Sequence, residues 1–164
     1  MHKFICNEEY CGKKEKRIMI MAHPDTIKLL QECDAGTKMG VSSIDEVLEK
    51  VKDEKLKKLL SESKSHHEKL EEDIEHLLEQ MGAEEKDPNP MAKGMSWIKT
   101  NMKMGWDESD ATVADLLTDG CDMGIKSLYR YLNQYENAEQ EATSIAKRLI
   151  DIEAKLEAEL RKYL

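Results

Sequence analysis

The chain has 164 residues, of which 36% are charged, with one phenylalanine, three prolines and a formal net charge of −9. This length suits one domain with a single core, and the composition is typical of a largely helical protein. The negative charge argues against a nucleic-acid partner, and no stretch approaches the roughly 18 uninterrupted apolar residues of a membrane-spanning helix. We therefore expect an all-α cytoplasmic protein whose four cysteines are free thiols.

The first predicted unit is a helical hairpin. Residues 1–23 show no helical periodicity and are predicted to form a flexible N-terminal tail. Apolar residues then recur at alternating steps of three and four over about 25–51 and 54–81, which predicts two amphipathic helices. Asp53 is the expected cap of the second helix, and Gly82 is its stop signal. Because the turn between the two helices is short, they must pack antiparallel.

The connection that follows is long and carries its own pattern. Asp87-Pro-Asn-Pro90 breaks the preceding helix. Beyond it lies a short predicted helix whose charged residues are lysines and whose apolar face consists of Met91, Met95, Ile98 and Met102. We interpret this segment as a crossover helix that covers the bundle. The alternative is a basic, methionine-rich surface that recruits a membrane or a partner protein.

The second predicted unit repeats the first. Helical periodicity resumes over about 110–135 and 138–163, with Asn137 as the expected cap of the last helix. The sequence Cys33-Asp34-Ala35-Gly36 returns 88 residues later as Cys121-Asp122-Met123-Gly124, and in both copies a lysine follows the aspartate by one helical turn. We interpret the chain as a four-helix bundle of two hairpins that are related by an approximate two-fold axis.

Four polar residues interrupt or border the apolar seams of these helices. Asp34 lies within the seam of the first helix and Asp122 borders that of the third, while His67 and Glu153 occupy matching places in the second and fourth. An unpaired charge in such a seam is strongly disfavoured, so these groups are expected to be paired or to bind a ligand. For both aspartates the alternative is a surface ion pair with the lysine four residues later.

This arrangement resembles the ferritin-like superfamily, and particularly small bacterial ferritin-like bundles of unknown function, over residues 24–164. In the dimetal members of that superfamily, the first and third helices each supply a carboxylate, and the second and fourth each supply a Glu-x-x-His motif. The resemblance therefore implies metal ligands at Asp34, His67, Asp122 and Glu153.

The resemblance includes a degenerate form of the dimetal motif. Lys64 and Ile150 stand where the family has its bridging glutamates. The segment Asp122-x6-Tyr129 looks like the family's Glu-x6-Tyr, with aspartate in place of glutamate. At most three carboxylates and one imidazole remain, a set that suits a single Mn, Fe or Zn ion.

From this resemblance we expect a non-catalytic binding or structural module with a degenerate, single-metal site, which self-associates as a homodimer. One alternative is a dimetal Fe/Mn oxidase or peroxide-handling enzyme, and the missing bridging glutamates argue against it. The other alternative is a bundle that recruits a partner protein or a membrane through the basic crossover helix. A membrane partner is the less expected of these, and no nucleic acid is expected.

Overall fold

The computed structural model describes residues 22–86 and 109–164. These residues form four long α-helices and one 3-10 turn, and none of them lies in a β-strand. The elements are α1 (Pro24–Leu48), α2 (Glu54–Gln80), α3 (Asp110–Gln134), α4 (Gln140–Leu160) and the 3-10 turn Arg161–Tyr163. For the described residues, the prediction of an all-α fold with four long helices is confirmed, and the helix ends differ from the predicted ones by a few residues.

Local signals set the ends of the first two helices. Before α1, the His23 Nδ1 atom accepts a hydrogen bond from the backbone N–H of Asp25 at 3.2 Å. Asp53 caps α2 as predicted, because its carboxylate accepts two backbone N–H hydrogen bonds at 2.8 Å. Beyond α2, Gly82 has a φ of 64°, the left-handed conformation that glycine adopts without strain at a helix C-terminus.

Two sequence predictions are wrong in the second hairpin. Asn137 is not the cap of α4, which begins after Glu139, and the Asn137 side chain instead donates to Asp25 Oδ2 at 3.1 Å. The apolar periodicity of the third helix also predicts Leu128 and Tyr129 on its buried face, but Tyr129 is 55% exposed, whereas Leu128 is buried. Helical periodicity indicates which residues share a face, but the edge of the buried stripe depends on the neighbouring helices.

Two apolar clusters fill the bundle, and each takes side chains from all four helices. Cluster I comprises Leu29, Leu30, Cys33, Leu70, Ile74, Leu78, Leu128, Ala142, Ile145, Ala146, Leu149 and Ile150. Cluster II comprises Ile44, Val47, Val51, Leu56, Leu60, Val113, Ala114, Leu117, Cys121, Leu156 and Leu160. Burial of these side chains is the main stabilising contribution to the bundle, and it holds the two hairpins to each other.

Membership of the clusters gives the direction of each helix. α1 and α4 run from cluster I to cluster II, whereas α2 and α3 run from cluster II to cluster I. α1 is therefore antiparallel to α2, and α3 is antiparallel to α4, as expected for two helical hairpins. α2 ends beside cluster I, and α3 begins beside cluster II.

The two hairpins hold each other at their turns through equivalent contacts. Asp110, in the first turn of α3, accepts hydrogen bonds from the backbone N–H groups of Lys52 at 2.8 Å and Asp53 at 2.9 Å. Asp25, in the first turn of α1, accepts one from the backbone N–H of Asn137 at 3.2 Å. The first turn of each hairpin thus satisfies donors in the loop of the other, which fixes the ends of the bundle.

Two predicted segments fall outside the described residues. They are the N-terminal tail, except for its last two residues, and the methionine-rich crossover helix. Both stay predictions. Among the helices that the structure describes, none contains an apolar stretch of the kind that crosses a bilayer.

Candidate functional site

The four predicted ligand residues do not meet at one place. Asp34 and His67 are buried and the Glu153 side chain is 13% exposed, but Asp122 is an exposed residue of α3. Among these four described side chains, the direct contact is the one between His67 and Glu153. Asp34 instead pairs with Lys38 at 3.0 Å. A single metal ion held by all four residues stays a prediction. In the structure, Asp34 belongs to one polar group, His67 and Glu153 belong to a second, and Asp122 lies on the surface.

The first polar group crosses the middle of the bundle, where clusters I and II meet. On α2 it falls between Leu60 of cluster II and Leu70 of cluster I, and on α4 it falls between Ile150 and Leu156. We call this group the polar layer; it consists of Gly40, Ser63, His67, Cys121, Gly124 and Glu153.

Both ring nitrogens of His67 face hydrogen-bond acceptors. Nδ1 lies 2.8 Å from the backbone carbonyl oxygen of Ser63, which can only accept, so Nδ1 donates. Nε2 lies 3.1 Å from Glu153 Oε1. An imidazole that donates from both nitrogens is protonated, so the geometry favours an imidazolium–carboxylate pair that joins α2 to α4. The thiol of Cys121 on α3 lies within the electrostatic influence of the same glutamate.

Glycines of the first and third helices face this pair. A Cβ atom at position 40 would lie 2.8 Å from His67 Cδ2 and 2.9 Å from His67 Nε2, which is too close for van der Waals contact. A Cβ atom at position 124 would lie 3.7 Å from Glu153 Cδ, an ordinary contact distance. Each hairpin therefore sets a glycine of its first helix against the polar residue of its second, and the approach is tight at Gly40.

These contacts give the structural register of the internal repeat. Gly40 and Gly124 are 84 residues apart, and His67 and Glu153 are 86 apart. The Cys-Asp-x-Gly match in the sequence has an offset of 88, so it is displaced by about one helical turn from the packing equivalence. The two aspartates of that match accordingly have different surroundings, one buried and one exposed.

The second polar group surrounds Asp34 at the edge between α1 and α2. Asp34 Oδ2 accepts hydrogen bonds from Lys38 Nζ and from the backbone N–H of Lys86, each at 3.0 Å. Glu71 and Glu75 of α2 approach the same carboxylate. These two glutamates were not predicted, because they stand in a run of charged residues that is typical of a solvated face. Their spacing of four residues, which puts both on one side of α2, was the available signal.

Comparison of the chain with known protein families and with curated proteins finds no match. The ferritin-like resemblance therefore rests on the order of the helices and on the polar residues in their seams. The role of those residues is therefore argued from their contacts. The His67–Glu153 pair is the most constrained of these contacts.

Glu153 changes how His67 binds protons. Burial acts to lower the pKa of the imidazole, but the hydrogen bond and charge of Glu153, together with the Ser63 carbonyl, outweigh it and raise the pKa above its ordinary value of 6.5. Burial raises the pKa of the Cys121 thiol, and Glu153 adds to that effect, so the thiol stays protonated at neutral pH. The polar layer thus combines an imidazole of raised pKa with a carboxylate and a neutral thiol.

We expect this pair to make the stability of the protein depend on pH. Because the pKa of His67 is higher in the folded chain than its unfolded value of about 6.5, the folded chain binds more protons between those two values. The stabilisation is complete below about pH 6.5 and is lost as the pH rises through the folded pKa. Urea titrations at about pH 6 and pH 9 should show a larger fall in the free energy of unfolding for the wild type than for Glu153→Gln. NMR titration of the imidazole C–H signals checks the cause, and a His67 pKa below that of a free imidazole would contradict it.

Proposed function

We propose that the chain is a ferritin-like four-helix bundle that acts as a non-catalytic binding or structural module. The directions of the helices support the ferritin-like connectivity. α2 ends beside cluster I and α3 begins beside cluster II, so the end of the first hairpin and the start of the second lie at opposite ends of the bundle. A long crossover between two antiparallel hairpins is the connection of ferritin-like folds.

The first residues after α2 fit such a crossover. The Glu84 carbonyl accepts a hydrogen bond from the Gln31 side chain at 2.8 Å. About one turn further along α1, the backbone N–H of Lys86 donates to Asp34. The chain therefore turns back along α1 as it leaves α2, in the direction of cluster II.

The mutual pairing of His67 and Glu153 is the observation that carries the non-catalytic role. The resemblance makes these two residues the metal ligands of the second and fourth helices. In this chain they bind each other at 3.1 Å, and an imidazole that is protonated on both nitrogens has no lone pair for a metal ion. The pair therefore favours a structural role, in which it links α2 to α4 between the two apolar clusters.

Oxidation of Fe(II) in air separates this proposal from a dimetal oxidase. The wild type and the double variant His67→Leu/Glu153→Leu are mixed with Fe(II), and oxygen consumption and ferric absorbance are followed, with a second series in hydrogen peroxide. We expect both proteins to match the rate in buffer. Faster oxidation by the wild type that disappears in the double variant would overturn the proposal and favour the oxidase or peroxide-handling alternative.

Self-association as a homodimer is part of the same proposal. Met123 and Tyr129 place large apolar side chains on the outer side of α3, where they are 65% and 55% exposed. Such side chains are enriched in protein interfaces. Sedimentation equilibrium should return twice the mass of one chain. The mass of a single chain would contradict the homodimer, but it would not affect the structural role assigned to the His67–Glu153 pair.

A further inference from the structure

We propose that Asp34, Glu71 and Glu75 form a divalent-cation site, which the Lys38 ammonium occupies when no ion is bound. This inference rests on the proposed binding role and names the ligand class that the module would take. It uses only one of the four residues that the resemblance assigned to a metal, and none of its three residues belongs to the polar layer.

Three carboxylates converge at this edge. Glu71 and Glu75 are one helical turn apart on α2, so they share the side that faces α1. Each of the three residues offers an oxygen atom, and these oxygens all lie within 4.8 Å of one another. Oxygen ligands lie about 2.1–2.6 Å from a Mg²⁺ or Ca²⁺ ion, so two ligands of one ion are at most about 5 Å apart. The group is already at the spacing of a coordination shell.

An unsatisfied oxygen of Asp34 is the second observation, and it does not depend on the number of acidic residues. The Asp34 side chain is 0% exposed. Its Oδ2 is used by Lys38 and by the backbone N–H of Lys86, but its Oδ1 has no hydrogen-bond partner in the part of the chain that the structure describes. A buried carboxylate oxygen without a donor is costly. A metal ion bound to Oδ1 would satisfy it.

The position of Lys38 indicates that the group already attracts a cation. Its Nζ lies 3.0 Å from Asp34 Oδ2, 2.8 Å from Glu85 Oε2 and 3.5 Å from Glu75 Oε1. Burial opposes the charge on Lys38, but the hydrogen bonds to Glu85 and Asp34 outweigh it and raise the pKa of the ammonium. Three carboxylates, those of Asp34, Glu75 and Glu85, therefore share one ammonium.

The donor set selects the kind of ion. All three ligands are carboxylates, which suit hard cations such as Mg²⁺, Ca²⁺ and Mn²⁺ and give no preference to zinc, which favours imidazole and thiolate. Waters would complete the shell, since Glu75 is at the solvent-facing side of the group. Mn²⁺ is the most informative probe, because the EPR signal of the free ion reports binding directly.

The test is a Mn²⁺ titration of the full chain, four single variants and one double variant at neutral pH. Lys38→Gln removes the competing ammonium and should bind Mn²⁺ about ten-fold more tightly than the wild type. Asp34→Asn should abolish saturable binding, alone or combined with Lys38→Gln. Lys126→Gln and Asp122→Asn are matched controls, since they change the same residue types at the same spacing on α3, where Asp122 and Lys126 are exposed. Both controls should bind as the wild type does.

Two results would overturn the cation site. One is equal Mn²⁺ affinity in the wild type and Lys38→Gln, and the other is saturable binding that survives Asp34→Asn. If Lys38→Gln fails to fold by circular dichroism, the Mn²⁺-dependent rise in Tm decides, because it should be present in Asp122→Asn and absent in Asp34→Asn. Neither the Mn²⁺ titration nor the Mn²⁺-dependent rise in Tm depends on Fe(II) oxidation. Failure of the cation site would leave the non-catalytic role in place, and oxidase activity would leave the cation site in place.

Discussion

Replacement of Gly40 by alanine should destabilise the bundle by about 2–4 kcal/mol, although alanine is the better helix former. The added Cβ atom would lie 2.8 Å from His67 Cδ2. The ring cannot move aside at low cost, because it is buried and its two nitrogens bind Ser63 and Glu153. The variant must either separate α1 from α2 or break the imidazolium–carboxylate pair.

Two other glycines of the bundle are matched controls for this substitution. A Cβ atom at Gly120 would meet nothing within 4 Å, so Gly120→Ala should raise the free energy of unfolding by about 0.5–1 kcal/mol through helix propensity alone. Gly124→Ala adds an ordinary contact with Glu153 and should change stability by less than about 1 kcal/mol. Urea titrations of the three variants give these values. Equal stability of Gly40→Ala and Gly120→Ala would show that the tight approach to His67 is not required.

Removal of one member of the His67–Glu153 pair should cost more than removal of both. Glu153→Leu leaves a buried imidazole without an acceptor at Nε2, and His67→Leu leaves a carboxylate that is only 13% exposed without its cation. Removing one partner of a buried ion pair costs about 3–5 kcal/mol, whereas replacing both by apolar residues is often neutral or stabilising. We expect about 3 kcal/mol for Glu153→Leu and about 2 kcal/mol for His67→Leu, since Glu153 is nearer to solvent.

The double variant His67→Leu/Glu153→Leu should lie within about 1 kcal/mol of the wild type, because it joins clusters I and II into one apolar core. A double-mutant cycle from urea unfolding would then give a coupling of about 5 kcal/mol between the two residues. The double variant should also lose the pH dependence that His67 contributes. Additive effects of the two single substitutions would mean that the side chains act independently, contrary to the observed hydrogen bond.

The helices could be predicted from the sequence because the signals that define them are local. The apolar periodicity that marks a helix is a property of about 15 consecutive residues. The cap of α2 is equally local, since Asp53 binds backbone groups two and three residues ahead. Asn137 shows the limit of this reasoning. Its side chain is of the capping type, but a carboxylate from the other hairpin competes for it, and that contact spans 112 residues.

The candidate site was predicted only in part, because local patterns can be read from the sequence but contacts between helices cannot. Asp34 and His67 were expected in the apolar seams, and both are buried. Their partners depend on how far each helix is shifted along its neighbour, which no periodic pattern specifies. Gly40 rather than Asp34 lies opposite His67, while Asp34 meets two glutamates that resemble any other charged residues of a solvated helix face.

The His67–Glu153 pair also bears on why the two hairpins belong to one polypeptide. The two residues occupy equivalent places in the two halves, each facing a glycine of its own hairpin. In a symmetric dimer of identical hairpins, the axis would bring each such residue against its own copy, and either two carboxylates or two imidazolium groups would repel. A single chain escapes this restriction because its halves can diverge, and here one half contributes the cation and the other the anion. Covalent fusion of the hairpins is therefore what allows the centre of the bundle to be complementary in charge.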